Sequence, residues 1–157
     1  MVRPMKRDDR QRVLDIVQAT GMFTLEEVSV ARELVDVYLD QPRQRDYFLV
    51  VAEDGKDGVV GYMSYGPTPL TDGTYDLYWM AVAPPAQGRG FGRELVDWLE
   101  KTVAEAGGRL ILIETSSQPK YEKTRRFYHD LGYQEASRIP DFYKAGDGRI
   151  TYVKYFG

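Results

Sequence analysis

YDLYWMAVAPPAQGRGFGRELVDWLEKTVAEA, residues 75–106, reads as a strand, a glycine-rich turn and a helix. Tyr75 to Val82 is aromatic and apolar and is stopped by Pro84-Pro85, which marks a strand and its end. Phe91, Leu95, Trp98, Leu99, Thr102, Val103 and Ala106 recur at helical spacing. Between the two stands Gln87-Gly88-Arg89-Gly90-Phe91-Gly92. A glycine-rich turn at a helix start points its N–H groups outward without side-chain obstruction, and the helix dipole adds partial positive charge. Phosphate is the natural ligand, and a diphosphate fits such a nest. A tight turn with no ligand is the simpler reading of the same residues.

Three phosphate-loop patterns compete for this turn. A Walker A loop requires Gly-Lys-Ser/Thr after its spacing, and that tripeptide does not follow. A dinucleotide fingerprint requires G-x-G-x-x-G. Gly88 and Gly90 supply two of its glycines, but Arg93 holds the third place and the turn starts several residues past the strand. The third pattern, Q-x-x-G-x-G, is met by Gln87, Gly90 and Gly92. This loop and the preceding Met80-Ala81-Val82-Ala83-Pro84 resemble the acetyl-CoA loop and fourth strand of the GNAT superfamily of N-acetyltransferases. A second signature lies at Tyr128-His129-Asp130-Leu131-Gly132-Tyr133, which resembles the family's Tyr-x-x-x-Gly-Phe/Tyr.

With 157 residues, 43% hydrophobic and 29% charged, the chain suits one soluble domain, 1–157, with room for a real core. Its formal charge of −3 gives no electrostatic reason to expect nucleic acid binding. The absence of cysteine excludes disulfides, thiolate catalysis and cysteine metal sites. Met1 to Arg7 is followed by no apolar h-region, and no run of about 20 apolar residues offers a membrane span. The expectation is a cytoplasmic protein.

Along the chain, residues 2–6 read as a short edge strand and Asp8 or Asp9 as the cap of a first helix. Thr24 and Glu27 form a capping box, with Phe23 and Val28 at staple spacing, for a second helix running to about Leu39. Tyr47–Ala52 and Val59–Tyr65 read as a hairpin, and Gly66–Gly73 as a stiff loop into the central strand. Gly107-Gly108 ends the central helix. Arg109–Glu114 is a buried strand, parallel to the one before the helix. Pro119 opens a fourth helix that ends at Leu131-Gly132. Tyr133–Ile139 and Arg149–Phe156 read as a closing hairpin. The order β-α-α-β-β-β-α-β-α-β-β matches the GNAT fold throughout, an α/β architecture of about seven strands in a mixed twisted sheet with about four flanking helices.

The resemblance implies a site residue by residue. Backbone groups of Met80, Ala81 and Val82 would meet the pantetheine arm of acetyl-CoA, and Gln87 to Gly92 its diphosphate, with Arg89 and Arg93 adding charge. Lys120, Lys123, Arg125 or Arg126 would meet the 3′-phosphate. Tyr121 stands where many relatives carry a CoA-contacting asparagine, so that amide contact is in doubt. Tyr128 would protonate the departing thiolate; a phenol is neutral at pH 7 and suits that task. Packing alone also explains an aromatic there. Asp76 and Glu114 match two different family base positions, and each also reads as an ordinary strand-end carboxylate. His129, next to Tyr128, points about 100° away on a helix, toward solvent.

The implied cosubstrate is acetyl-CoA and no metal is implied. The implied partner is a small-molecule amine acceptor, with no nucleic acid and no membrane, and a homodimer is the assembly the family allows. Arg138, Lys144 and Arg149 are the basic residues near the closing hairpin that suit an acceptor carboxylate. Glu33 and Asp36 suit a polyamine or a peptide lysine instead. A second class of function, an acetyl-CoA sensor without catalysis, is opposed by the joint presence of Tyr128, Asp76 and Glu114.

Overall fold

The computed structural model describes residues 1–157 and has the element order the sequence predicts. The elements are β1 (Val2–Pro4), α1 (Arg10–Ala19), α2 (Leu25–Asp40), β2 (Phe48–Asp54), β3 (Gly58–Pro67), β4 (Thr74–Val82), α3 (Phe91–Glu105), β5 (Leu110–Ser116), α4 (Glu122–Asp130), β6 (Gln134–Lys144) and β7 (Asp147–Tyr155). They build one seven-stranded sheet in the order β1-β2-β3-β4-β5-β7-β6. Only β4 and β5 are parallel neighbours; the other pairs are antiparallel.

Strand side chains alternate between faces, and helices cover both. On one face Val13, Ile16 and Val17 of α1 and Val28, Ala31 and Val35 of α2 pack with Leu49, Val51 and Tyr62. On the other, Leu95, Leu99 and Val103 of α3 and Tyr128 of α4 pack with Met63, Leu77, Ile111 and Ile113. The three α3 residues are fully buried, and each such side chain stabilises the fold by roughly 1.5–3 kcal/mol over leaving it in water. The apolar face of α3 includes Val96, which the spacing omits, while Ala106 lies past its end and is exposed. No helix is long and apolar enough to cross a membrane.

Several local expectations are corrected by tertiary contacts. Asp9 does not cap α1: its carboxylate accepts from the Lys6 N–H at 2.7 Å and from Arg3 at 2.8 and 2.9 Å. Pro119–Tyr121 is a separate 3-10 turn, and α4 begins at Glu122. β1 ends at Pro4, two residues short of the expected end, although the Met5 N–H still donates to Leu49 O at 3.0 Å. The closing strands run five residues further into the hairpin on β6, and two on β7, than their alternation suggests. The Thr24–Glu27 capping box is present, with both reciprocal bonds formed.

The one parallel pair is short. β4 and β5 match only from Thr74↔Leu110 to Leu77↔Ile113. On the β3 side the register slips between Ser64/Trp79 and Tyr65/Leu77, so Tyr78 is an extra residue on β4. A bulge of this kind bends its strand and increases local twist. Past Tyr78 the strand stays on β3 and leaves β5, and the sheet opens into a gap.

Candidate active site

The gap has a backbone wall. Ala83 N donates to Val60 O at 2.7 Å, so alternation along β4 turns Trp79 and Ala81 toward β3 as well. The N–H and C=O groups of Met80 and Val82 therefore point into the gap, where β5 no longer meets them. Gln87 Nε2 donates to the Val82 carbonyl at 3.0 Å. The glutamine of the loop pattern thus ties the turn to the open strand edge, and Met80 keeps both of its backbone groups.

The turn delivers what its glycines promise. Gly88 and Gly90 have φ of 77° and 93°, the left-handed region that L side chains avoid. A Cβ on either would meet nothing within 4 Å, so conformation and not crowding demands glycine there. Gly90 is the N-cap of α3 and its carbonyl takes the Glu94 N–H. The N–H groups from Gly88 through Arg93 find no protein acceptor. Gly92 is packed differently: a Cβ there would meet Phe127 at 3.3 Å and Met80 at 4.0 Å.

The basic residues separate. Arg89 is held by Asp54 at 2.9 Å and Asp57 at 3.8 Å on the β2–β3 turn, and its guanidinium lies over Phe91. Arg93 is mostly exposed, with only Asp97 at 3.9 Å. On the other side of the gap, Arg125 donates to the carbonyls of Ser116 and Gln118, Lys120 to Met22 O, and Arg126 faces Glu122. Lys123 alone of these four is exposed without a partner.

Tyr128 sits on the α3–α4 side, 4% exposed. Its ring meets Phe127 and Tyr133 edge-on at 5.2 and 6.1 Å, while its hydroxyl binds no protein group. Burial pushes its pKa well above the usual phenol value, so it stays protonated. The rest of the Tyr-x-x-x-Gly-Tyr pattern is a helix terminator. Gly132, at φ 94°, donates to His129 O, and Tyr133 N donates to Tyr128 O at 3.0 Å. This is a Schellman motif, with its customary apolar contact made by Tyr128 and Tyr133. His129 faces solvent.

Asp76 and Glu114 face the α1–α2 side, opposite Tyr128. Asp76 accepts from Thr68 Oγ1 at 2.6 Å. Beside it the Tyr78 phenol is pushed up to about 12, first by burial and then by that carboxylate. Glu114 lies 3.6 Å from Arg149 Nη1. Tyr121 closes this side: its hydroxyl donates to Met22 O at 3.1 Å, and its phenol is pushed up to about 12, first by burial and then by Glu27 and Asp147. Phe23 meets Trp79 edge-on at 5.2 Å, so the α1–α2 loop spans the gap from β4 to the turn after β5. No three His, Asp or Glu side chains are grouped to hold a metal.

Sequence reasoning missed Thr68, Trp79 and the Met22–Phe23 bridge. Only Phe23 carried a signal, as the staple residue. Glu33 is exposed, and Asp36 is spent on Arg10 at 2.7 Å.

Known proteins share this fold. Residues 13–133 match the model of the acetyltransferase (GNAT) family. A GNAT-family protein of known structure from Desulfovibrio desulfuricans is 44% identical, with a TM-score of 0.93 over 99% of this chain and 98% of the other. An aminoglycoside 6′-N-acetyltransferase crystallised with coenzyme A is alike in fold, at 21% identity and a TM-score of 0.75 over 99% and 96% of the two chains. The S-(2-succino)cysteine N-acetyltransferase of Bacillus subtilis strain 168 is 26% identical over 123 residues, 76% of this chain and 72% of that one. A turn of unpaired N–H groups on α3, a sheet opened at one bulge and these matches together place the chain in the GNAT family of N-acetyltransferases.

Proposed function

We propose that residues 1–157 act as one domain that moves an acetyl group from acetyl-CoA to the primary amine of a small molecule, an amino acid being the type case, by direct attack on the thioester. The observation that carries this reading is the run of unpaired N–H groups from Gly88 to Arg93, set beside an open strand edge. These donors suit a diphosphate at a helix N-terminus. The Met80 carbonyl and the Val82 N–H suit the amides of an extended arm lying in the gap as a strand would.

Acetyl-CoA supplies an acyl group already activated as a thioester. The protein's part is geometric and electrostatic. Tyr128 stands on one side of the gap and the two carboxylates on the other. An amine approaching from the α1–α2 side, an ammonium at neutral pH, first gives up a proton to Glu114 or Asp76; the freed lone pair then bonds the carbonyl carbon, and the nitrogen loses its second proton by the same route to solvent. As the C–S bond breaks, Tyr128 gives its proton to the sulfur. The Met80 N–H polarises the carbonyl oxygen during attack. A small acceptor is favoured by the Met22–Phe23 bridge, which narrows the acceptor side, and by the Bacillus subtilis relative, whose named substrate is a cysteine derivative.

The test is CoA-thiol release with acetyl-CoA and a panel of amines, beside calorimetry of Gly90→Asp. The variant adds a negative charge to the nest and a side chain at φ 93°. Its acetyl-CoA affinity should fall about 10²-fold, as for two charge-assisted bonds lost. Folded Gly90→Asp that binds acetyl-CoA as wild type does would remove the nest from the site. Slow hydrolysis of acetyl-CoA with no dependence on any amine would favour a sensor instead.

A further inference from the structure

Three buried side-chain atoms have no hydrogen-bond partner: Ser64 Oγ, Arg149 Nε and Thr151 Oγ1. All three belong to one face of the sheet. Ile150 and Tyr152 of β7 pack in the α3–α4 cluster, so Arg149 and Thr151 point the other way. That is the face of Glu114, which is the cross-strand partner of Thr151. Ser64, between Tyr62 and the bulge, faces the same side. Leaving buried polar groups unpaired is unfavourable, and proteins seldom do it without a ligand or water to complete them.

Arg149 is the outlier among the sheltered cations. Its side chain is 25% exposed, and its nearest charge, Glu114, lies at 3.6 Å, beyond hydrogen-bond range. Its guanidinium rests on the Phe142 ring at 4.4 Å. Arg3, 17% exposed, makes four hydrogen bonds, to Pro4, Asp9 and Glu53. Lys154, 30% exposed, donates to Glu100 and Leu131. The fold satisfies those two and leaves Arg149 open. The other basic residues of the closing hairpin are elsewhere engaged or exposed: Arg138 is closed on Glu135 at 2.7 Å, and Lys144 lies at the exposed turn.

The wall around Arg149 is built by an irregular strand. β6 leaves the ladder between Ile139 and Lys144, and Pro140 through Tyr143 stand out of it. Asp141 takes φ 55°, and its carboxylate accepts the Gly146 N–H at 2.7 Å, which braces the bulge. This sets Phe142 on the guanidinium and brings Tyr143 within the fields of Glu114 and Arg149.

We propose that Arg149 is the specificity-determining residue of the acceptor site, and that the acceptor is a zwitterion of the α-amino acid class whose carboxylate takes the guanidinium while its ammonium faces Glu114. This rests on the acetyl-transfer reading above. The loose Glu114–Arg149 pair presents one negative and one positive group side by side, the complement of an ammonium and a carboxylate held on one carbon. A planar guanidinium with free donors on an aromatic ring suits a carboxylate better than a point charge would. Binding exchanges one loose pair for two closer ones and leaves Glu114 on the nitrogen that must lose a proton.

The experiment compares kcat/KM for the common α-amino acids with that for their decarboxylated amines, in wild type, Arg149→Met and Arg149→Lys. Wild type should favour the acids. Arg149→Met should lower that ratio by about 10- to 100-fold, the worth of a charged hydrogen-bonded contact, with acetyl-CoA affinity by calorimetry reporting that the variant is folded. Arg149→Lys keeps charge without the fork and should lower the ratio about tenfold; if Arg149→Met does not fold, this variant decides. Equal use of acids and amines by wild type, or a ratio unmoved in the folded variants, overturns the assignment and leaves acetyl transfer standing. Turnover of neither set overturns this inference, while CoA-thiol release with another amine of the panel leaves acetyl transfer standing and its absence with every amine overturns both.

Discussion

Replacing Tyr128 by Phe separates chemistry from packing. The ring is retained, and with it the edge contacts to Phe127 and Tyr133 at 5.2 and 6.1 Å and the apolar contact that closes the Schellman turn. The hydroxyl is the only loss, and it binds no protein group. The hydroxyl is not among the buried atoms left without a partner, so removing it strands no group, and Tyr128→Phe should change stability by no more than about 1 kcal/mol. For a chain of this size that is a shift of no more than about 3 °C in melting temperature. The chemical step should move the other way. Losing a positioned general acid lowers rates by about 10²- to 10⁴-fold, or roughly 3–5 kcal/mol of barrier. Single-turnover transfer from acetyl-CoA reads the step directly, and calorimetry reads acetyl-CoA affinity, expected to change little. Burial holds the phenol protonated beyond its ordinary range, so wild type should keep its rate up to pH ~10. An unchanged single-turnover rate would reduce Tyr128 to a packing residue. A loss of 2 kcal/mol or more in stability, on the scale of a broken buried hydrogen bond, would mean the hydroxyl has a structural partner after all.

Glu114→Gln and Asp76→Asn should part company in their pH–rate profiles. The true base variant loses rate near neutrality and regains part of it as pH approaches the free-amine range near ~10, while the other keeps the wild-type shape. Superimposable profiles for both would leave deprotonation to water. Asp9→Asn tests the fold. The Arg3 guanidinium, and after it the Lys6 N–H, hold the Asp9 carboxyl below its usual range. Its contribution is therefore present above about pH 3.9, the unfolded value, and is lost as pH falls through the lower folded one. With Glu53 still on Arg3 at 2.7 Å, the variant should lose about 2 kcal/mol at neutral pH and flatten the acid limb of a stability-versus-pH curve. An acid limb as steep as in wild type would move that role to other carboxylates.

The order of elements and the geometry of the glycine-rich turn were legible because both are written locally. Helical spacing in α3, the Thr24–Glu27 box and the glycines at 88, 90 and 132 each report backbone conformation within a few residues. What the sequence hid depends on register between distant strands. The bulge at Tyr78 exists only in the pairing of β4 with β3, and it decides where the sheet opens. The ion pairs of Arg89 were hidden for the same reason: Asp54 and Asp57 reach it across 32 to 35 positions of chain. Arg149 read as one of three equivalent basic residues until the β6 bulge set Phe142 on it. β6 itself lost its alternation signal because every one of its residues is exposed. Pro140, which cannot sit in a regular ladder, was the one local hint of that irregularity.

The opening between β4 and β5 also bears on how the protein avoids sticking to itself. Its outer sheet edges are defended in the usual ways: β1 has three residues and ends in proline, and β6 is charged and broken by its bulge. The third edge, Trp79 to Val82, has none of these protections. It is apolar and free on one side, and it is shielded by its recess between β3 and the β5–β7 half of the sheet and by the Met22–Phe23 loop that spans the gap. A chain cut before Leu110 would bare that edge along its whole length, as a template for other copies. The C-terminal strands therefore act as a cover that keeps a self-adhesive strand inside the molecule.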